Sequence, residues 1–399
     1  MKPHILFIVE NNSVPFDLRV WNEARAAKEF GYDVTVICPS DARRKDTRPV
    51  IEGIRIYVHP QTAEGHSQLS QVLEYLNASF WEMWLSLRVF LAHRFQVIHA
   101  ANPPDHLFLI ALPFKLLGAK FLFDHHDIAP ENYVAKFGRK GFLYKVLLIM
   151  ERLTFLSADL VVSTNSSYKA IAMTRGGKKD EEVIVVRNGP DLSRMPDVSP
   201  DPGLRQGFSH LVGYVGVIGQ QEGIENLLAA VAGIVEKARR TDIKFIVVGS
   251  GPHLKSLIQR SEAMGLAGYV HFTGFVPDQV LWTVLASSDV CVNPEFGNEF
   301  TDRSTMIKIM EYMTFAKPIV QFRTREGEFS AGLSAVNIPG NDVTLFSEAI
   351  LALLDDPERR RRMGAWGRKR IEDELQWGIQ KRRLAEAYRR ILDEGRKGP

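Results

Sequence analysis

Short apolar, β-branched runs alternate with stretches of helical periodicity from the first residues onward: His4–Val9, then Arg19–Phe30, then Val34–Cys38. That order of elements is the signature of a parallel sheet covered by helices, so the fold class is α/β. Further strands are predicted at Val97–Ala100, Lys120–Phe123, Leu160–Ser163 and Val183–Val186. Ser199-Pro200-Asp201-Pro202-Gly203 then breaks the composition, and the alternation restarts with a strand at Leu211–Val215. A helix at Ile224–Glu236, a strand at Lys244–Val248, a helix at His253–Met264 and strands at Tyr269–Thr273 and Val290–Val292 follow. Two doubly wound domains are therefore expected, residues 1–203 and 204–375. The tail Arg368–Glu394 reads as a basic helix with Ile371, Leu375, Leu384, Tyr388 and Ile391 at packing positions.

The length of 399 residues agrees with two cores of about 200 residues each. A net charge of +3, from 50 basic and 47 acidic groups, is too balanced for a dedicated nucleic-acid binder. Cys38 and Cys291 lie far apart without metal-ligand spacing and read as core thiols of a reducing compartment. The apolar run at the start is too short for a signal peptide, and the longest apolar stretch, Leu107 to Leu117, is broken by Pro113 and Lys115. A cytoplasmic protein is expected. The run Arg359-Arg360-Arg361-Arg362 reads as a solvated helix face rather than a lipid or nucleic-acid contact.

Chemistry concentrates in Asp302-Arg303-Ser304-Thr305-Met306-Ile307-Lys308-Ile309-Met310-Glu311. A helix starting at Ser304 or Thr305 places Ser304, Lys308 and Glu311 on one polar stripe, with Met306, Ile309, Met310 and Met313 toward a core. Its uncapped N–H groups and Lys308 suit a phosphate, and Glu311 suits a diol about 10 Å away. An amphipathic helix with a solvated Lys308 and Glu311 gives the same pattern. Strand Leu211–Val215 runs into Gly216-Val217-Ile218-Gly219, where backbone amides can approach an anion; a tight turn needs the same glycines. The turn Gly249-Ser250-Gly251-Pro252 reads as architectural. In Phe123-Asp124-His125-His126-Asp127-Ile128-Ala129-Pro130-Glu131, the proline favours an exposed loop after a strand. Its carboxylates and imidazoles suit a polyhydroxylated substrate better than a metal ion. Asp17 and Arg19 form another charged pair at the start of the first helix.

Together these residues resemble a GT-B glycosyltransferase of the large retaining family numbered four. The resemblance rests on Phe16-Asp17-Leu18-Arg19-Val20-Trp21-Asn22-Glu23, Gly31-Tyr32-Asp33-Val34, the pair His126-Asp127, and Val186-Arg187-Asn188-Gly189. In the second half it rests on Tyr214-Val215-Gly216, Val248-Gly249-Ser250-Gly251-Pro252, Val270-His271-Phe272-Thr273-Gly274, Ser288-Asp289-Val290 and the segment from Glu311 to Val320.

The resemblance implies two Rossmann-like domains facing a cleft, with a last helix, 376–399, crossing back to the first domain. It implies a hexosyltransferase that works with retention and without a metal ion or other cofactor. The donor would be a nucleoside diphosphate sugar, foremost a UDP-sugar. Glu311 would hold the ribose, and Gly216, Gly219, Ser304, Thr305 and Lys308 the pyrophosphate. His126 would touch the transferred sugar, and Asp17, Arg19, Asp127 and Glu131 would lie on the acceptor side.

Three departures stand out. Arg303 stands where many relatives carry the first of two glutamates, so either Arg303 takes a role beside Lys308 at the departing diphosphate, or Glu299 or Asp302 reaches the sugar from the longer preceding loop. Val217 and Glu222 stand where relatives place Arg and Lys. Asn11-Asn12-Ser13-Val14-Pro15 replaces a glycine-rich loop. A subset of the family shares the Ser-Thr-x-x-Lys variant.

Between Tyr133 and Phe155, Lys136, Arg139, Lys140, Lys145 and Arg152 interleave with apolar residues, and Trp81, Trp84 and Leu85 add bulk. An anionic membrane surface and buried helices with snorkelling cations are both consistent with that mix. The expected function is transfer of a sugar to a hydroxyl acceptor, lipid-linked or not, in bacterial surface polysaccharide or glycolipid synthesis. Nucleotide-sugar epimerisation or hydrolysis on the same fold, and non-catalytic nucleotide-sugar binding, remain open.

Overall fold

The computed structural model describes residues 2–41, 49–60 and 68–394. The chain divides into two compact units, Met1–Asn188 with Ile379–Pro399, and Gly189–Gly378. Residues 189–203 thus fold with the second unit, although the compositional break lies at their far end. Backbone packing explains this. A Cβ on Gly189 would lie 1.8 Å from the Leu375 carbonyl oxygen, and the Trp377 N–H donates to the Pro190 carbonyl at 2.9 Å.

In the first unit the strands are β1 (His4–Val9), β2 (Asp33–Pro39), β3 (Val50–Ile51) and β4 (Ile54–His59), then β5 (Val97–Ala101), β6 (Lys120–His125), β7 (Leu160–Ser163) and β8 (Val183–Val185). They pair in the order β3-β4-β2-β1-β5-β6-β7-β8. Every pair is parallel except β3 with β4. The direction of progression reverses at β1, and the crevice beyond the carboxyl ends of β1 and β5 is where such sheets present side chains to ligands. The helices are α1 (Leu18–Glu29), α2 (Gln68–Ala92), α3 (Phe108–Leu116), α4 (Ala129–Phe137), α5 (Phe142–Ser157) and α6 (Ser166–Thr174).

The second unit carries β9 (His210–Val215), β10 (Ile243–Val248), β11 (Val270–Gly274), β12 (Val290–Asn293), β13 (Ile319–Phe322) and β14 (Ala335–Ile338). They form a wholly parallel sheet in the order β11-β10-β9-β12-β13-β14. Its helices are α7 (Ile224–Ala232), α8 (Leu254–Ala263), α9 (Asp278–Ser287), α10 (Ile307–Thr314), α11 (Arg325–Ala331), α12 (Val343–Leu354) and α13 (Pro357–Arg370). The expected helix to Glu236 is α-helical only to Ala232 and widens into a π turn over Gly233–Lys237. Of the basic run on α13, Arg359, Arg361 and Arg362 are exposed. Arg360 instead turns back to donate to the Leu353 carbonyl at 2.7 Å, closing the end of α12.

The single helix expected over Arg368–Glu394 is two helices. After α13 the chain makes a π turn at Ile371–Leu375 and extends at Gln376, ψ 152°, before α14 (Trp377–Glu394); residues 395–399 lie outside the described residues. The packing positions therefore serve two cores. Ile371 and Leu375 join the second unit's cluster around Ile309 and Met313, while α14 buries Leu384, Tyr388 and Ile391. Tyr388 fixes α14 within the first unit: its hydroxyl lies 2.8 Å from His99 Nδ1, and its ring meets Tyr32 edge-on at 5.6 Å. Lys381 adds an ion pair to Glu29 at 2.6 Å. Tyr388→Ala is expected to cost about 3–5 kcal/mol and Tyr388→Phe about 1 kcal/mol, measured by urea unfolding; the first change removes the ring's packing, the second a single hydrogen bond.

Candidate functional site

In the second unit, chemistry gathers where β9 and β12 end against α10. The helix begins at Ile307, with Met306 before it and no side-chain cap, not at Ser304 or Thr305. A preceding turn takes those residues first: Asn298 Oδ1 accepts from the Phe300 and Thr301 amides at 2.9 and 3.0 Å, and Ser304 Oγ donates to the Phe300 carbonyl at 2.9 Å. The polar stripe therefore reduces to Lys308 and Glu311, one turn apart. Ile309, Met310 and Met313 are fully buried, as their spacing predicts.

Lys308 is neither solvated nor free. It is buried, and its Nζ donates to Glu222 Oε2 at 2.5 Å, Glu295 Oε1 at 2.6 Å and the Tyr214 hydroxyl at 3.2 Å. The ammonium also stands 4.9 Å from the centre of the Tyr214 ring, and Tyr214 donates in turn to Glu222 Oε2 at 2.9 Å. All three ammonium protons are thus engaged. Burial alone would depress Lys308, but Glu295, Tyr214 and Glu222 outweigh it and hold it well above the ordinary lysine range. Burial pushes Glu295 up to about 7 against the pull of Lys308. Glu222 is lowered, because Lys308 outweighs its own burial. Burial also pushes Glu311 up to about 6.

The glycine turn completes this cluster. A Cβ on Gly216 would come 2.7 Å from the Tyr214 hydroxyl and 3.2 Å from Lys308 Nζ, so only glycine leaves the ammonium room at the end of the strand. The second turn braces the first. The Ile218 amide donates to the Ser250 carbonyl at 3.0 Å, and Gly249, at φ 139°, lies so close that a Cβ would sit 1.8 Å from the Gly216 carbonyl oxygen. Near Gly219 a Cβ would meet only Glu222 Cγ, at 3.9 Å. Arg303 and Thr305 are partly buried in the segment leading to α10. Glu295 and Tyr214 are the residues missed by sequence reasoning; Glu295 stands in no local spacing with Lys308, and Tyr214 reads as a strand core residue.

In the first unit, Phe123–Glu131 is not an exposed loop. Asp124 and His125 are fully buried on β6, and Pro130 sits in the first turn of α4, where a missing N–H costs nothing. Asn102 holds the His126-Asp127 corner: its Oδ1 accepts from both amides, at 2.8 and 3.0 Å, and its Nδ2 donates to the Asp127 carbonyl at 2.9 Å. His126 Nδ1 lies 3.1 Å from Asp124 Oδ2. Burial would lower this imidazole, but Asp124 outweighs it and raises its pKa. Asp127 Oδ1 accepts from the Ile128 amide at 2.7 Å.

Two of the acceptor-side expectations become framework. Arg19 is buried and hydrogen-bonded to Asp124 at 2.6–3.1 Å, to the Val186 carbonyl at 3.0 Å and to Asn188 Oδ1, with Glu23 ion-paired at 3.1 Å. Glu131 is buried and clamped by Arg175 at 2.6 and 3.2 Å, and Arg175 also holds the buried Glu151 at 2.5 Å. Asp17 is the N-cap of α1, accepting from the Val20 amide at 2.9 Å, and stays partly exposed. Glu23, His99 and Asp124 bring ligand-type atoms within 4.8 Å of one another, but the Arg19 guanidinium pairs with both carboxylates and supplies their counter-charge.

Two parallel α/β units, each with a polar cluster at the carboxyl end of its sheet, define the GT-B class. Residues 18–189 match the family described as Glycosyl transferase 4-like domain, and residues 209–356 match Glycosyl transferases group 1. The chain belongs to the GT-B glycosyltransferases. It is 29% identical over 41% of its length, and 43% of the relative's, to the GDP-mannose-dependent monoacylated alpha-(1-6)-phosphatidylinositol monomannoside mannosyltransferase of Corynebacterium glutamicum. The matches span about two fifths of the length of such curated relatives. The fold is similar to sucrose-phosphate synthase from Thermosynechococcus elongatus, with a TM-score of 0.78, 18% identity and 98% and 100% of the two chains covered. It is also similar to Anabaena HepE solved in complex with UDP, with a TM-score of 0.73, 17% identity and 98% and 100% coverage.

Lys308→Met strands Glu222 and Glu295 in a buried site without their cation, an expected cost of about 3–5 kcal/mol near pH 8. An acid whose folded pKa is raised contributes stability that is complete below its unfolded value and fades as pH climbs through the folded one. For Glu295 that window runs from 4.5 to about 7. In the difference between variant and wild type the unfolded values cancel, and loss of Lys308 raises both carboxylates further, so the deficit of Lys308→Met is expected to grow as pH climbs past about 7, where wild-type Glu295 ionises beside the ammonium, and to shrink at lower pH, read from the difference in unfolding midpoints. In the first unit, Arg19→Leu exposes Asp124 and Glu23 to the same penalty, and a comparable loss of about 3–5 kcal/mol is expected by urea unfolding.

Proposed function

We propose that this protein transfers a glycosyl group from a nucleoside diphosphate sugar, foremost a UDP-sugar, to a hydroxyl acceptor with retention of configuration. The observation that carries the proposal is the Lys308 ammonium, buried beside Gly216 at the end of β9 with Glu311 one turn further along α10. A cation beside a glycine turn suits a diphosphate, and a carboxylate one turn away suits a ribose diol. The names of two relatives support the donor class: one is GDP-mannose-dependent and another was solved with UDP.

In this reading the bond from the anomeric carbon to the β-phosphate oxygen breaks, and negative charge gathers on that oxygen. The acceptor oxygen takes its place, and its proton passes to the departing diphosphate. Lys308 and Arg303 stabilise the departing charge, the Gly216–Gly219 turn and the backbone at Ser304-Thr305 hold the phosphates, and Glu311 holds the ribose. His126, held by Asp124, contacts the transferred sugar, while Asp17 and Asp127 serve the acceptor. Arg19 and Glu131 act through the residues they position. The acceptor belongs to bacterial surface polysaccharide or glycolipid synthesis.

The charge balance around Lys308 gives the proposal a specific consequence. One ammonium facing two carboxylates cannot also welcome a diphosphate unless a carboxylate withdraws or takes up a proton. Glu295, already near neutrality, is the group that does so. Donor binding is expected to take up a proton and to tighten as pH falls from 8 to 6, measured by calorimetry in buffers of different ionisation enthalpy; Glu295→Gln abolishes the uptake. Thermal shift against UDP, GDP, ADP and dTDP and their sugars tests the donor class directly. One diphosphate is expected to raise the melting temperature, and Glu311→Ala to remove that rise. Lys308→Ala lowers turnover more than donor affinity. No shift with any nucleotide sinks the reading.

A further inference from the structure

We propose that the outer face formed by α2, α3 and α5 is a docking surface for a bilayer containing anionic phospholipid. α3 packs against both α2 and α5, so the three outer faces lie side by side. On α2, Leu76, Phe80, Trp84, Leu87 and Leu91 are exposed, and their spacing of three or four residues places them in one row. Leu109, Leu112 and Leu116 repeat that row on α3, with Leu116 90% exposed. On α5 the row is Phe142, Ile149, Leu153 and Leu156, with Phe142 83% exposed, and Lys145 and Arg152 fall on the same stripe.

These rows are surplus to folding. Each helix also has an inward stripe that fills the core: Leu85, Val89 and Phe90 on α2, Ile110 and Phe114 on α3, and Thr154 and Phe155 on α5. Apolar rows on three adjacent helices, left facing outward, form a patch larger than single surface hydrophobics explain.

Charge identifies the occupant. Between Tyr75 and Ser157, every exposed Asp, Glu, Lys or Arg is a cation, from Arg88 on α2 to Lys145 and Arg152 on α5. The acids of that stretch are turned away from solvent: Glu82, Asp105, Asp124, Glu131 and Glu151 are buried, and Asp127 is half-buried in the corner that Asn102 holds. A second copy of the chain would bring like charges together across the contact. An anionic lipid surface supplies the opposite charge to the cations and an acyl boundary to the leucines and aromatics. No helix among the described residues is long and apolar enough to cross a membrane, and the contact is with one leaflet.

The experiment is flotation of the full chain with phosphatidylcholine vesicles and with vesicles carrying roughly one third phosphatidylglycerol. Binding is expected to the anionic vesicles, about tenfold weaker to the neutral ones, and reduced by added salt. Leu116→Ser/Phe142→Ser and Lys145→Glu/Arg152→Glu should each weaken binding about tenfold while leaving circular dichroism and the melting temperature unchanged, because these side chains are exposed. Three results overturn the proposal: no binding of the wild type to anionic vesicles, variants that bind as well as wild type, or a dimer by light scattering that Leu116→Ser/Phe142→Ser dissolves. Nucleotide-induced thermal shifts do not depend on this face, so its failure and that of the transferase reading are separate results.

Discussion

A cation locked between carboxylates closes the carboxyl end of each parallel sheet. In the first unit it is Arg19, which holds Asp124, Glu23 and the segment following β8. In the second it is Lys308, shared by Glu222 and Glu295. A buried ion needs partners of opposite charge to offset its burial, and each of these clusters draws them from elements far apart in sequence. Arg19 reaches Asp124 across 105 positions and Asn188 across 169. Lys308 reaches Glu222 across 86. These pairs tie strands, turns and helix starts into one arrangement, and around them the remaining polar groups take their places.

The exchange of charge at Glu222 and Lys308 shows how the site departs from the pattern its sequence resembles. Relatives place a cation near position 222; here a carboxylate stands there and accepts from the helix lysine instead. The positive charge here sits on α10, with two anionic partners. A site built this way has Lys308 already paired with Glu222, Glu295 and Tyr214.

Much of the fold is legible in the sequence because apolar periodicity is a local property. β1 and β7 match their predicted spans, and most other predicted strands fall within a residue or two of their observed ends. β3, β4, β13 and β14 escape that reading, although Ile319-Val320 stands in view as the end of a motif. α10 starts later than its polar spacing suggests because Asn298 and Thr301 build a turn that claims Ser304 first. Pro130 reads as a barrier in the sequence and is a helix opener in the fold, a choice that depends on what precedes it. In the site, His126, Lys308 and Glu311 are visible as chemistry in short motifs. Arg19 and Glu131 are visible too, but their commitment to buried partners is not.

The sequence by itself determined the α/β class, two sheets, the glycine turns and the residue types placed at their ends, because each follows from local spacing and residue type. Only the tertiary structure decided which of those groups are satisfied internally. Long-range proximity placed Glu295 and Tyr214 on Lys308 and Asp124 on Arg19, split the terminal helix at Gln376 between two cores, and turned three apolar rows outward. Burial and pairing are properties of neighbours in space, and no local period encodes them.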